Sequence, residues 1–205
     1  LNEENPGISN YGKFYENINQ LNLMILRTDE TEILTEEQKN YYLGQAYGIR
    51  AFYYFHILRS WGDAVITTEP TFTVDVSNMA KEASPATDVM KQIKSDIEAS
   101  VNAFGSDYTI KGQKSMWSKA ATLMLKGEVY LWSGKQMGGG NEDATIAKNA
   151  LTDIQNNVSS LSLMDKFSDV FAYTEKGNQE IIFAFRNQLK EHDLWNGSFG
   201  GSFLP

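Results

Sequence analysis

The stretch GIRAFYYFHILRSWGD, Gly48 to Asp63, decides how this chain is read. It is long enough for several helical turns, carries Phe52, Tyr53, Tyr54, Phe55 and Trp61, and stops at Gly-Asp. A membrane segment, a buried core helix and an aromatic surface that grips a ligand would each look like this. Arg50, His56 and Arg59 interrupt the run, and charges of that kind are costly inside a bilayer. Extended backwards, the helix is apolar nearly all round. Gly44, Gly48, Ala51, Phe52, Phe55 and Leu58 fall on one face; Tyr47, Tyr54, Ile57 and Trp61 fall on another. A soluble helix of that kind is enclosed by other elements, so the stretch is a core helix. Its small residues are expected to admit a neighbouring backbone, and Gly62 to end it.

Outward from this helix the pattern stays helical. Phe14, Ile18, Leu21 and Ile25 form one stripe of a preceding helix from about Asn10. Thr35 with Gln38 three residues on is a capping box for the core helix. DAVITTEPTFTV reads as extended chain, after which Ser84-Pro85 restarts a helix with serine as cap and proline at its first position. That helix carries Val89, Ile93, Ile97, Val101 and Phe104 on one stripe and ends at Gly105. Another dense helix is expected from about Ser115 to a stop at Gly134, with Trp117, Ala120, Ala121, Met124, Gly127, Glu128 and Leu131 in register. Residues 137–142 read as a flexible loop. Asp143 is the expected cap of a fifth helix bearing Ala147, Leu151, Ile154 and Val158, and Glu180 to Arg186 alternates as a short strand. An amphipathic helix followed by a denser one occurs twice, the logic of stacked hairpins of the tetratricopeptide kind, whose period is about 34 residues. The class is mostly α with a minor β component.

Composition narrows the partners. With 205 residues the chain is one domain or a piece of a larger one. A net charge of −8 argues against nucleic acid and anionic lipid, both of which select basic surfaces. The absence of cysteine excludes a disulfide framework, a zinc knuckle and a thiol nucleophile. No window reaches ~18 apolar residues, so no helical membrane span is expected. The polar opening LNEENPG is not a signal peptide. The closing DLWNGSFGGSFLP has no final element, and a targeting segment in front and more protein behind are expected.

Catalytic chemistry is hard to find. His56 and His192 lie far apart, and His56 reads as a packed histidine. No zinc-protease, calcium-loop, Walker or dinucleotide motif occurs. The Gly138–Gly140 run lacks the Lys-Ser/Thr of a phosphate cradle, and NGSFGG is not a nucleophile elbow. Most carboxylates sit in polar loops, which leaves little for a glycosidase pair. Glu128, on a packed helix, is expected to meet Arg50 or Arg59 in a buried ion pair. No metal or cofactor is expected. Aromatic side chains at element ends remain, because sugar C–H faces pack on aromatic planes. Trp61 reads first as a hydrophobic plug. Trp195, Tyr173 and Phe72, with the carboxylate of Asp63, are the candidate ligand contacts.

Four blocks carry a family resemblance. NYGKFYENINQLN, YYLGQAYGIRAFYYFHILRSWGDAVITTEP, KGQKSMWSKAATLMLKGEVYLWSGK and KFSDVFAYTEKGNQEIIFAFR occur in order between residues 10 and 186. They resemble the helical half of the SusD-like (RagB/SusD) family of glycan-binding outer-membrane lipoproteins. The resemblance implies tetratricopeptide-like helix pairs and no catalysis. It implies a cell-surface position on a Bacteroidetes-type bacterium, through a lipidated cysteine absent from this chain. It also implies a TonB-dependent SusC-like transporter as partner and an oligosaccharide as ligand. The alternative is a tetratricopeptide scaffold that binds peptide or protein. One departure is that Ala64-Val65-Ile66 follows Asp63 where the family usually has a proline, which leaves the exit turn less fixed.

Overall fold

The computed structural model describes residues 11–73 and 81–185. Five long helices run in sequence: α1 (Gly12–Glu30), α2 (Glu36–Trp61), α3 (Ala86–Phe104), α4 (Lys119–Gln136) and α5 (Gly140–Asn157), followed by the single turn α6 (Phe167–Val170). Each long helix packs on its predecessor, and α2 also touches α4. The pairs are antiparallel. The start of α2 meets the end of α3 through Gly44 and Phe104, and the end of α4 meets the start of α5 through Gly134 and Gly140. The expected class, mostly α with stacked helix hairpins, is the observed one.

α2 is the centre. The capping box forms as expected, with Gln38 N donating to Thr35 Oγ1 at 3.3 Å and Thr35 N donating to Gln38 Oε1 at 3.0 Å. Gly62 ends the helix at a φ of +81°, where a side chain would be strained. Ala51, Tyr54 and Phe55 are fully buried, the last two among the largest such side chains of the described residues. The small residues of α2 work differently from the expectation. A Cβ on Gly44 would lie 2.7 Å from the Phe104 ring, and one on Gly48 would lie 2.1 Å from Trp117 Nε1. These glycines seat large aromatic rings rather than a neighbouring backbone. The close backbone approach belongs to Gly134, where a Cβ would sit 3.0 Å from the Gly140 carbonyl oxygen.

Two buried polar assemblies cross the helix interfaces. Arg50 grips Asp96 of α3 with both prongs, Nε to Oδ2 at 2.8 Å and Nη2 to Oδ1 at 2.6 Å, and donates from Nη1 to Asn22 Oδ1 of α1 at 2.8 Å. Burial opposes the charge on Arg50, but the hydrogen bonds and attraction of Asp96 outweigh it and raise the guanidinium pKa. In the second assembly, Trp117 Nε1 donates to Thr122 Oγ1 at 2.8 Å and the Ser100 and Thr122 hydroxyls bond at 2.8 Å. Ser100 Oγ donates in turn to the Gly44 carbonyl at 2.6 Å, joining α2, α3 and α4.

Several boundaries fall elsewhere than the sequence suggests. α4 starts at Lys119, capped by Ser118 Oγ, which accepts from Ala121 N at 3.3 Å, and it runs through Gly134 to Gln136. A glycine packed against α5 does not by itself stop a helix. Met124 and Leu131 of that helix point outward, 46% and 52% exposed. The loop before α5 is shorter than 137–142, because Gly140 already opens the helix. Asp143 does not cap α5; its Oδ2 takes Lys94 Nζ at 2.8 Å and Ser133 Oγ at 2.6 Å, binding α5 to α3 and α4. Ser84 does not cap α3 with its side chain. Arg59 does meet Glu128 at 2.7 Å, but the pair is largely solvated rather than buried. Among the described residues there is no strand, and β structure is confined to one antiparallel bridge between Ala64 and Ser84. Among the described residues the alternating segment 181–185 has no strand beside it. Phe183 packs on Trp117 with centroids 5.1 Å apart, and Ala184 N donates to the Lys114 carbonyl at 2.9 Å.

His56 lies on a half-buried aromatic seam, 4.4 Å from Phe52 and 6.5 Å from Phe14 between ring centroids. Trp61 meets Phe14 edge-on at 5.9 Å and Tyr11 at 5.8 Å, in keeping with a plug at the helix end. Burial, then the Arg59 charge, lowers the His56 pKa, with Glu128 pulling the other way.

Three outcomes follow from this packing. Gly48→Ala should cost about 1–3 kcal/mol in urea unfolding because the Trp117 indole and Thr122 cannot both yield. Gly127→Ala, which meets only the movable end of Leu151, should cost less. Arg50→Met should cost about 3–5 kcal/mol by stranding Asp96, against under about 1 kcal/mol for Glu128→Gln at the solvated pair. Because unfolded histidine protonates near pH 6.5 and folded His56 only at lower pH, the protein should lose stability as pH falls below that value. The melting temperature of His56→Gln, followed from pH 7 to 5.5, should fall less than that of the wild type.

Candidate functional site

The four expected contacts fall in different surroundings. Asp63 sits just past α2, and its Oδ1 accepts the Ala86 amide at 2.8 Å, so its carboxylate serves the first turn of α3 that Ser84 leaves uncapped. Phe72 is 63% exposed at the end of an irregular strap, residues 64–72, with the Arg27 guanidinium 5.7 Å from its ring centroid. Tyr173 is 81% exposed in a 3-10 turn, Tyr173–Glu175. Trp195 lies outside the described residues. Among the described residues no hydrogen bond or ring contact joins Phe72 to Tyr173 or Asp63.

Around Tyr173 the structure does form a concavity. A cavity of about 480 Å³ is lined by Phe171, Tyr173 and Phe185, with Ser115 and Lys176 as its polar side chains. Phe171 and Phe185 are 73% and 71% exposed. Lys176 Nζ stands 3.8 Å from the Tyr173 ring centroid, a cation–π contact. Phe185 is fixed from behind, with ring centroids 5.3 Å from Phe183 and 6.3 Å from Phe52 of α2. The opposite wall is held by Asn178, whose Nδ2 donates to the Val170 carbonyl at 2.9 Å. Lys114 Nζ donates to the Asn178 carbonyl at 2.5 Å, which ties this wall to the turn before α4. The site is thus an open aromatic hollow built on anchored loops, suited to apolar or C–H-rich faces of a ligand.

Of the candidate contacts named from sequence, only Tyr173 lines this hollow; Phe171 and Phe185 line it too and were not among them. Phe185 reads in sequence as the third position of an alternating strand. A second, more polar cavity of about 560 Å³ lies between the start of α2 and the end of α3, lined by Asn40, Tyr41, Asn102 and Asp107 among others. Among the described residues no group of three His, Cys, Asp or Glu side chains could hold a metal ion. None of the described helices is long and apolar enough to cross a membrane.

Comparison with known proteins bears on this frame. The profile of the SusD-like family described as "Starch-binding associating with outer membrane" matches residues 2–131. The chain is 56% identical to Bacteroides fragilis NanU, with a TM-score of 0.87 over 95% of this chain and 38% of that one. A SusD-like protein of Bacteroides ovatus is 29% identical over 84% of this chain and 31% of its own length. A laminarin-binding SusD-like protein, 22% identical, shares the fold with a TM-score of 0.71 over 84% of this chain and 36% of its own. The chain spans roughly a third of the length of these relatives. With a profile match over more than half of its residues and a superimposable helical frame, the chain belongs to the SusD-like family.

Proposed function

We propose that this chain is the helical portion of a cell-surface protein that captures oligosaccharides and delivers them to a TonB-dependent transporter of the SusC type. In this reading the whole protein is held at the outer membrane by a lipid on a cysteine outside this chain, and it performs no catalysis. The observation that carries the reading is the hollow of Tyr173, Phe171 and Phe185, whose exposed rings offer stacking planes for sugar faces. Family membership supports it, since the profile is described by starch binding. Phe72 and Trp195 are proposed as further aromatic contacts, and Asp63, whose Oδ1 accepts the Ala86 amide, as a polar one. A family in which one relative binds laminarin also fits a neutral or weakly polar ligand and a protein surface that is acidic overall.

A second reading keeps the transporter but replaces sugar with peptide or protein. The exposed Phe167, Phe171 and Phe185 favour it, because side chains of that size equally suit an apolar partner.

Calorimetric titration against plant, host and microbial oligosaccharides, beginning with those of starch, laminarin and xyloglucan, separates the two. Saccharide binding supports the first reading. A panel that shifts neither melting temperature nor tryptophan fluorescence favours the second. Tyr173→Ala should weaken saccharide binding about tenfold, ~1.4 kcal/mol, at unchanged melting temperature. An unaltered affinity would remove Tyr173 from the site.

A further inference from the structure

The strap from Ala64 to Phe72 joins α2 to the chain leading into α3 and forms neither helix nor strand beyond its bridge at Ala64. Backbone groups in such a segment need partners from elsewhere. Here side chains of α1 and α2 supply them one after another. Tyr15 Oη donates to the Val65 carbonyl at 2.9 Å. Tyr54 Oη accepts from Thr67 N at 2.8 Å and donates to the Thr67 carbonyl at 2.9 Å. Asn22 Nδ2 donates to the carbonyls of Thr67 at 3.1 Å and Glu69 at 3.2 Å. Arg50 Nη1 reaches the Thr68 carbonyl at 3.3 Å. Asn19 Oδ1 then accepts Thr71 N at 2.7 Å, while its Nδ2 reaches the Thr71 carbonyl at 3.5 Å.

Tyr15, Asn19 and Asn22 stand at i, i+4 and i+7, a polar stripe on α1 beside the apolar stripe of Phe14, Ile18 and Leu21. One helix therefore turns one face to the core and the next to the strap. Burial pushes the Tyr15 phenol up to about 12, so it remains a donor to Val65 at any physiological pH. Asn19 is the last member of the row and grips the residue immediately before Phe72.

We infer that Asn19, at the end of the row formed with Asn22, Arg50 and Tyr54, is a positioning residue that presents the Phe72 ring as a preformed wall for saccharide. The inference rests on the glycan-binding reading and adds a residue to it. The clasp fixes the backbone before any ligand arrives, so binding at this wall carries a smaller ordering cost than at a free loop. Arg50, Asn22 and Tyr54 also hold the core together, whereas Asn19 is only half-buried and can be changed without opening it.

The test compares wild type, Asn19→Ala and Asn19→Asp by amide hydrogen exchange at Thr71, thermal melting, and titration with starch, laminarin and xyloglucan oligosaccharides. Asn19→Ala should raise Thr71 exchange at least tenfold and weaken the saccharide affinity five- to tenfold, with the melting temperature nearly unchanged. Asn19→Asp keeps an acceptor for Thr71 N and should retain most of the protection and the affinity. Loss of Thr71 protection without loss of affinity would overturn the inference alone, as would unchanged protection in Asn19→Ala. A wild type that binds none of these saccharides, nor any other of the wider panel, would overturn the glycan reading and this inference with it.

Discussion

The two-pronged bond between Arg50 and Asp96 is the constraint around which the rest is arranged. Both side chains are almost completely buried, at 5% and 3% exposure, and a buried charge is tolerable only when its partners are complete. Completing them takes residues from three helices. α2 gives the guanidinium, α3 the carboxylate with Gln92 as a further donor, and α1 the Asn22 amide. The same guanidinium reaches out to the strap. The relative positions of three helices and one loop are therefore fixed by the hydrogen-bonding valence of a single arginine.

Around that point the packing is a matter of fitting large rings to missing side chains. Phe104 lies over Gly44 and Trp117 over Gly48, and α4 turns small residues to both of its neighbours. Ala121, Leu125 and Val129 of α4 belong to the main apolar cluster, whereas Ala120 and Leu123 join Ala150, Ile154 and Val158 in a second one. α4 is thus the wall between two clusters. This is how a helix with little amphipathic contrast finds a stable place.

The core was legible in the sequence because its signals are local and periodic. The stripe of α3, the capping box of α2 and the all-round apolar character of α2 each depend on residues within a few turns of one another. What was not legible depends on partners distant in the chain. Asp143 looks like a cap until Lys94 and Ser133 are brought to it. Gly134 looks like a stop until α5 is seen to lie against it. The alternation at 181–185 looks like a strand because period two is a property of the segment, while a strand needs a neighbour to pair with. At the hollow, Tyr173 is legible as an aromatic in a polar turn, whereas Phe185 is not, since its alternation assigns it to a strand face. The strap was read only as extended, and nothing in its own residues identifies Asn19 and Asn22, about fifty positions earlier, as what holds it.

The hydroxyl chain beneath Trp117 has one further property. A carbonyl can only accept and an indole N–H can only donate, so the row from Trp117 through Thr122 and Ser100 to Gly44 has fixed ends. The proton of Ser100 goes to Gly44, so in the short bond between the two hydroxyls Thr122 is the donor, with the Ser118 carbonyl at 3.4 Å as its second, longer acceptor. Along the short bonds every hydrogen then points the same way, from α4 through α3 to α2. Replacing Thr122 by its isostere valine would keep the shape of the junction but remove the bonds to Trp117 Nε1 and Ser100 Oγ, and so break that polarity at the middle link.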